Sequence, residues 1–277
     1  MDIERFIKAA IEEDIREGDH TSLACIPSGR KSRAVLIAKE SGIIAGIGLS
    51  KKIFKIIDAG LSVESFFNDG DSVAKGGKVL LVKGSAQSIL KAERLVLNFM
   101  QRMSGIATLT RKFVKAVEGS PAEILDTRKT TPLFRQFEKM AVKIGGGENH
   151  RFGLWDMMII KNNHIAYAGG IKPAIGAVKD YLRKNKLELR IEIEAASIAE
   201  VEEILAVGGV HRIMLDNFKI PTLKKAVKLV NHRFETEASG GITLENVRDY
   251  AATGVDYISV GALTHSYKSL DLSLKAI

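Results

Sequence analysis

The sequence predicts an α/β protein in two parts: a mixed first segment, then an incomplete parallel β/α barrel. Three observations carry this. After Pro121, short apolar runs alternate with helical patterns, the mark of a parallel sheet. Nearly every run ends in a polar residue or a glycine: Asp126, Lys161, Glu194, Asp216, Ser239 and Gly261. In a closed or nearly closed barrel such strand ends converge on one face, whereas an open sheet gathers only those near its switch point. The stretch from Pro121 to His265 is also shorter than the ~250 residues of a full eightfold barrel.

In chain order, the spacing predicts an amphipathic helix over about Ile3 to Glu13. "SRAVLIAKESGIIAGIGL" reads as strand, turn, strand. "LSVESFFNDGDSVAKGGKVLLVKGSA" alternates apolar and polar residues around glycine turns, as antiparallel strands do. A long helix follows, with Leu95, Phe99, Met100, Met103 and Ile106 on one face and Gly105 a possible interruption. The barrel strands are then "AEILD", "WDMMIIK", "LRIEIE", "HRIMLD", "FETEAS" and "DYISVG", separated by helical patterns.

Composition narrows the function classes. The 277 residues are 45% apolar, which indicates a globular chain. The single cysteine, Cys25, excludes an internal disulfide, reads as packing, and fits a reducing, cytoplasmic setting. The acidic start lacks the pattern of a signal peptide, and no apolar run approaches a membrane span. A net charge of +8 favours anionic partners. A nucleic-acid-binding protein would interleave aromatics with its basic residues. Aromatics total only 6%, and the basic residues sit at strand ends beside glycines.

The densest charge is "TRKTTPLFRQFEKMAVKIGGGENHR", residues 127–151, with six Lys or Arg, one His and two acids. Arg128 and Lys129 follow a strand end, where an anion or carboxylate is needed to match them. Gly145, Gly146 and Gly147 would let backbone N–H groups approach an oxyanion, beside His150 and Arg151. Glu192 and Glu194 alternate with isoleucines and should face the barrel interior; Glu194 and Asp216 close their strands. Carboxylates so placed suit a Mg²⁺–phosphate site, with ion pairing to the nearby lysines and arginines as the alternative. In "EASGGITLENV", Ser239, Gly240 and Gly241 before a helix start near Thr243 suit a phosphate, and Gly261 adds a second glycine loop. Arg102, on an otherwise apolar helix, is either an interface or site residue or a snorkelling surface one. Trp155 reads as packing.

These motifs resemble the quinolinate phosphoribosyltransferase family. The match runs through "EDIREGDHTS", "AERLVLNFMQRMSGIATLT", "DTRKTTP", "EKMAVKIGGGENHRFGLWDMMIIKNNHI", "IEIE", "IMLDNF", "EASGGITLENV" and "DYISVGALTHS", in the family's order. The resemblance implies an N-terminal α/β sandwich domain (1–105, with the tail 267–277 packing back on it) and an incomplete barrel (106–266) carrying the active site. It implies phosphoribosyl transfer from phosphoribosyl pyrophosphate to quinolinate, with Mg²⁺, giving nicotinate mononucleotide, pyrophosphate and CO₂ in NAD synthesis. It assigns quinolinate binding to Arg128, His150, Arg151 and Lys161, with Arg102 reaching in from the partner of a homodimer or larger homo-oligomer. Lys129 contacts pyrophosphate; Glu194 and Asp216 stand near the ribose hydroxyls and Mg²⁺, directly or through water; Ser239, Gly240, Gly241 and Gly261 take the 5′-phosphate. Lys129, Glu194 and Asp216 are the catalytic set. Two positions depart from the family pattern: Asn162 where an acid is usual, and Leu133 where glycine is usual. The competing identities are a paralogue of molybdenum transport loci and a nicotinate phosphoribosyltransferase, for which this cation set carries too much charge.

Overall fold

The structure, a computed structural model, describes residues 2–277. The chain divides into two compact units: residues 1–109 with 144–146 and 267–277, and residues 110–143 with 147–266.

The first unit opens with α1 (Ile3–Ile15), whose first turn is capped by the Asp2 carboxylate accepting from the Glu4 and Arg5 amides at 3.1 and 3.2 Å. Helix α2 (His20–Cys25) leads to β1 (Lys31–Ala38). Then come β2 (Gly42–Ile43), α3 (Ile47–Ile57), β3 (Ser62–Ser65), β4 (Ser72–Val73) and β5 (Lys78–Ser85). Helix α4 spans Ala86–Ala116, and the division between the units falls within it. The second unit alternates β6 (Glu123–Leu125), α5 (Arg135–Gly145), β7 (Met158–Ile160), α6 (Asn162–Ala168), α7 (Ile171–Asn185) and β8 (Ile191–Ala195). It continues with α8 (Ile198–Val207), β9 (Arg212–Asp216), α9 (Ile220–Val230), β10 (Glu235–Ser239), α10 (Val247–Ala251), β11 (Tyr257–Ser259) and α11 (Ala262–His265). Strand β12 (Leu272–Ala276) belongs to the first unit.

In the first unit, an antiparallel sheet runs β12-β1-β5-β3, with the C-terminal strand β12 on the edge beside β1. Only Gly42 and Ile43 of the expected second strand form one, paired with β4. Gly46 then turns with φ 98°, and the "IGLS" that follows begins α3. An apolar run before a glycine turn does not distinguish strand from helix, and here the chain reverses first. Helix α4 is continuous through Gly105. A Cβ there would lie 2.3 Å from the Lys268 carbonyl oxygen and 2.9 Å from the Ser269 Cα. The glycine therefore marks a close backbone approach instead of a break. Leu270 N–H donates to the Gln101 carbonyl at 3.0 Å, and Gln101 Nε2 donates to the Leu272 carbonyl at 2.8 Å, fastening the tail to the same helix. Cys25, expected to pack, is exposed. Among the described residues no helix is long and apolar enough to cross a membrane.

In the second unit, six parallel strands run β6-β11-β10-β9-β8-β7. The barrel does not close, because β6 and β7 are the two edges. A single parallel bridge, Leu125 to Glu148, extends the β6 edge. All five residues of β8 are buried, as in a parallel strand covered on both faces. The pairing sets side chains level across strands: Glu192, Arg212 and Glu235; then Glu194, Met214 and Glu237; then Asp216 and Ser239. Since alternate residues share a face, one interior face carries charge along its length.

Gly105→Ala gains helix propensity but meets the Lys268 backbone. The clash should dominate, destabilising the protein by about 1–3 kcal/mol. A urea midpoint shifted down at unchanged slope would show it.

Candidate active site

The ends of the parallel strands surround a cavity of about 340 Å³. Its lining comes from every strand: Thr127, Arg128 and Lys129 beyond β6, Ile159 and Lys161 at β7, Glu194 from β8, Met214 and Asp216 from β9, Glu237 and Ser239 from β10, and Ser259 from β11. His150 and Arg151 complete it from the segment beside β6.

The basic stretch divides into distinct tasks. Arg128, Lys129 and Arg151 line the cavity. Arg135 ties loops together, donating to Thr130 Oγ1 and to the Phe152 carbonyl, both at 2.9 Å. Lys143 pairs with Glu148 at 2.5 Å. Lys139 is buried against Asp126, also buried, and donates to the His150 carbonyl at 2.9 Å. Asp126 accepts the His150 amide at 2.9 Å, so both sides of the His150 backbone are held. Turned to its hydrogen-bonding orientation, the Asn149 amide donates to Asp126 Oδ2 at 2.6 Å. Burial outweighs the mutual attraction of the pair: the Asp126 carboxyl is pushed up to about 6 and the Lys139 ammonium is pulled below its usual value.

Of the triple glycine, Gly147 does not serve an oxyanion, because its N–H is used within the protein. Gly145 ends α5, and Gly146 turns with φ 95°. A Cβ on Gly147 would lie 2.9 Å from Thr110 Cγ2 and 3.2 Å from the Ile124 carbonyl, while its N–H donates to the Val142 carbonyl at 3.1 Å. The glycines take the chain from α5 to the sheet edge, which delivers His150 and Arg151 to the cavity. Leu133, where the family has glycine, has φ 63° in the turn closed by Phe134 N–H to the Thr131 carbonyl. It is 78% exposed, so the departure is a local backbone strain outside the cavity.

Positive charge dominates one wall. Burial and then the Arg128 charge press the Arg151 guanidinium below its usual pKa. Arg151 Nη1 reaches the Met157 carbonyl at 3.1 Å, but its buried Nε has no hydrogen-bond partner. Opposite, Lys161 Nζ is bonded to Glu194, whose Oε2 accepts the Asn162 amide at 3.0 Å. The Lys161 amide donates to His164 Nδ1 at 2.9 Å. Asn162 thus meets Glu194 through its backbone, which any residue supplies. Asp216 Oδ2 accepts from Asn217 Nδ2 at 2.8 Å.

His150 faces the interior. Its Nε2 lies 3.0 Å from Glu192 Oε2 and 3.3 Å from Glu237 Oε2. Burial opposes charge on the ring, but these two acids outweigh it and pull the pKa up to about 9. The 2.6 Å bond from the Arg151 amide to Nδ1 pulls the other way, because it needs a lone pair there. Nε2 itself makes no hydrogen bond, and neither carboxylate oxygen of Glu192 has a hydrogen-bond partner. Burial and the Glu237 charge push Glu192 up to about 6, whereas Glu237 lies below the usual range: burial opposes this, and His150 and Arg212 prevail. His150, Glu192 and Glu237 each bring a ligand atom within 4.8 Å of the others, as in a metal site.

On the phosphate side, Gly240 and Gly241 follow Ser239 with φ 96° and 62°. A Cβ on Gly240 would strike Asn217 Oδ1 at 2.2 Å. A turn from Thr243 leads into α10: the Thr243 amide donates to Asn246 Oδ1 at 2.8 Å, Val247 N–H donates to the Thr243 carbonyl at 2.9 Å, and the regular helix runs from Val247. A Cβ on Gly261 would lie 3.0 Å from Lys129 Cδ, and Thr264 Oγ1 donates to the Lys129 carbonyl at 2.9 Å, so the second glycine loop abuts the lysine. Arg102 belongs to the first unit, its guanidinium 5.1 Å from the Tyr267 ring centroid. Trp155, expected to pack, is 71% exposed. Among the cavity residues, Thr127, Ile159, Met214, Glu237 and Ser259 carried no sequence assignment. Only Glu237 left a signal: "FETEA" alternates acids as "RIEIEA" does.

An unclosed parallel barrel with a cationic cavity at its strand ends and glycine turns beside it has the architecture of a barrel-type phosphoribosyltransferase. The chain belongs to the quinolinate phosphoribosyltransferase family: the family's N-terminal domain matches residues 19–104 and its C-terminal domain residues 106–275. It is 51% identical over 289 residues to quinolinate phosphoribosyltransferase [decarboxylating] 1b of Nicotiana tabacum, covering 99% of this chain and 82% of that protein. It is 41% identical to the probable nicotinate-nucleotide pyrophosphorylase [carboxylating] of Bacillus subtilis, covering 99% and 93%. The solved NadC of Streptococcus pyogenes superposes with TM-score 0.93 at 39% identity, covering 99% and 97%. Human nicotinic acid phosphoribosyltransferase, at 11% identity and TM-score 0.68, shares the fold alone.

Lys139→Met strands Asp126 as a buried unpaired carboxylate and should cost about 3–5 kcal/mol of stability. Denaturant unfolding measures the loss. Asp126→Leu combined with Lys139→Met removes both charges and should recover part of it.

Proposed function

We propose that this protein transfers the phosphoribosyl group of phosphoribosyl pyrophosphate to quinolinate, releasing pyrophosphate and CO₂ and leaving nicotinate mononucleotide for NAD synthesis. The carrying observation is the unmatched cationic wall: Arg151, pressed by Arg128, with a buried Nε that has no partner. A buried unpaired donor beside a second guanidinium calls for an anion. Quinolinate offers two adjacent carboxylates to Arg128, Arg151 and Lys161, with His150 at the edge of the same cradle.

The ring nitrogen attacks the anomeric carbon as the bond to pyrophosphate breaks. Glu194 and Asp216 face the positive charge that develops on the ribose, and Lys129 receives the negative charge that leaves. Holding the nitrogen against that carbon supplies much of the remaining rate. The 2-carboxylate then departs as CO₂, its electron pair drawn toward the alkylated pyridinium nitrogen. The amides of Ser239, Gly240, Gly241 and Gly261 take the 5′-phosphate. Glu194 and Asp216 are hard oxygen donors lining the cavity, which fits Mg²⁺, an ion that takes one or two carboxylates together with phosphate oxygens. Mg²⁺ held there, directly or through water, would neutralise charge on the pyrophosphate. The single cysteine supports a reducing compartment such as the cytoplasm, whereas the related rice and Arabidopsis proteins carry chloroplastic in their names.

Substrate selectivity tests the reading. Nicotinate lacks one carboxylate and leaves buried charge unmatched, so it should be turned over ~10⁴-fold less efficiently than quinolinate. Phthalate, with no ring nitrogen, should bind and not react. Efficient turnover of nicotinate by the wild type would place the protein in the monocarboxylate class.

A homodimer, or a larger homo-oligomer, in which Arg102 serves the neighbouring active site is supported by an arginine on an otherwise apolar face of α4. Arg102→Ala and Lys161→Ala proteins should each be inactive alone and regain activity when mixed, since some sites then carry neither change. No recovery after demonstrated subunit exchange counts against a shared site.

A further inference from the structure

Strands β6 and β11 stay fastened beyond their ends, through contacts that the transfer chemistry does not use. The two pair in parallel, from Tyr257 beside Glu123 to Ser259 beside Leu125. Val260 N–H then donates to the Leu125 carbonyl at 2.9 Å. Further along both segments, Thr264 Oγ1 donates to the Lys129 carbonyl at 2.9 Å. The same hydroxyl lies 3.3 Å from the Gly261 carbonyl, the longer of the two contacts. Gly261 leaves room for the lysine stem: a Cβ there would lie 3.0 Å from Lys129 Cδ and 3.1 Å from His265 Nε2. Thr264 is 1% exposed, whereas Lys129 is exposed. A carbonyl on an exposed loop finds water without help, so satisfying it is not what the bond adds. The bond fixes where the loop lies.

The location of Lys129 has a chemical consequence. Lys129 and Gly261 serve opposite ends of one cosubstrate, the pyrophosphate and the 5′-phosphate, and the ribose between them sets their separation. We propose that Thr264 is a positioning residue for Lys129: its hydroxyl and the bare face of Gly261 fasten the pyrophosphate lysine to the 5′-phosphate loop, so that the two anion sites keep the spacing of phosphoribosyl pyrophosphate. This deepens the reading under Proposed function and rests on it. On the other side of the same residue, the Lys129 amide donates to Thr127 Oγ1 at 3.1 Å, so both of its backbone polar groups are held. Arg128, the next residue back, is held separately. Its carbonyl accepts the Thr130 amide at 2.9 Å and Arg135 Nη2 at 3.4 Å. Thr264 therefore acts on the phosphoribosyl side and leaves the dicarboxylate side alone.

Thr264→Val removes the hydroxyl and keeps the shape. It should weaken phosphoribosyl pyrophosphate, measured by calorimetry with Mg²⁺ and without quinolinate, by about tenfold, a misplacement-sized effect. Thr264→Ser should restore most of that affinity. Ribose 5-phosphate, which has no group for Lys129, and phthalate should each bind Thr264→Val within about twofold of the wild type. In a Lys129→Ala background, Thr264→Val should add less than about twofold, because the residue it positions has lost its charge. Unchanged binding of phosphoribosyl pyrophosphate overturns the proposal. So does an equal loss of all three ligands, or the full loss repeated on Lys129→Ala, since either makes Thr264 a merely structural residue. Should Thr264→Val fail to fold, Thr264→Ala removes the same hydroxyl and is read in the same way. Amide exchange of residues 128–131, followed by mass spectrometry without ligand, should quicken in Thr264→Val and recover in Thr264→Ser; unaltered exchange overturns the proposal. A wild type that binds no phosphoribosyl pyrophosphate would overturn the functional reading, while the exchange still decided whether Thr264 holds Lys129.

Discussion

A carboxylate taken out of water must meet a cation or several donors, and the second unit is organised around Glu237, which is fully buried in the middle of a parallel sheet. Arg212 satisfies it from one side at 2.9 Å. On the other side stands His150, which reaches the interior because Gly146 and Gly147 bring the chain back from α5 to the β6 edge. The buried Asp126–Lys139 pair then grips the His150 backbone on both sides. Parallel-barrel interiors are usually filled by branched apolar residues. Here one interior face is charged along its length, and the loops at the strand ends inherit their position from it.

The charge at the cavity mouth has the opposite balance. Inside, acids outnumber the cations that match them; at the mouth, Arg128 and Arg151 crowd each other. That crowding gives the site its appetite for anions. Glu194 divides the two regimes: it accepts from Lys161 and from the Asn162 amide and still lines the cavity. A site in which cations and carboxylates face one another across a few ångströms can hold an acidic ring and a phosphorylated sugar together, and can meet both the positive and the negative charge that develop as the bond breaks.

The strand–helix alternation and the polar strand ends were legible because burial on both faces leaves a run of apolar residues that stops where the cavity begins. Lys161, Glu194, Asp216 and Ser239 were found this way, Arg128, Lys129, His150 and Arg151 from the density of charge in one stretch, and the structure gathers all eight on one cavity. Local pattern misled where it has two physical meanings. Gly147 and Gly105 looked like part of a ligand loop and a helix break; both are close approaches of bare backbone. Thr243 was read as a helix start, and it opens the turn that leads into α10 at Val247.

The sequence by itself determined the order of strands and helices, the polarity of the strand ends, and the family, because these depend on periodicity and on residues close together in the chain. Only the tertiary structure decided which charges are spent inside the protein and which remain for a ligand. Lys139 and Arg128 are eleven residues apart in one basic stretch, and nothing in their spacing tells them apart. One is buried against Asp126 and the other lines the cavity, because an ion pair is made by distance in space, and the fold alone sets that distance.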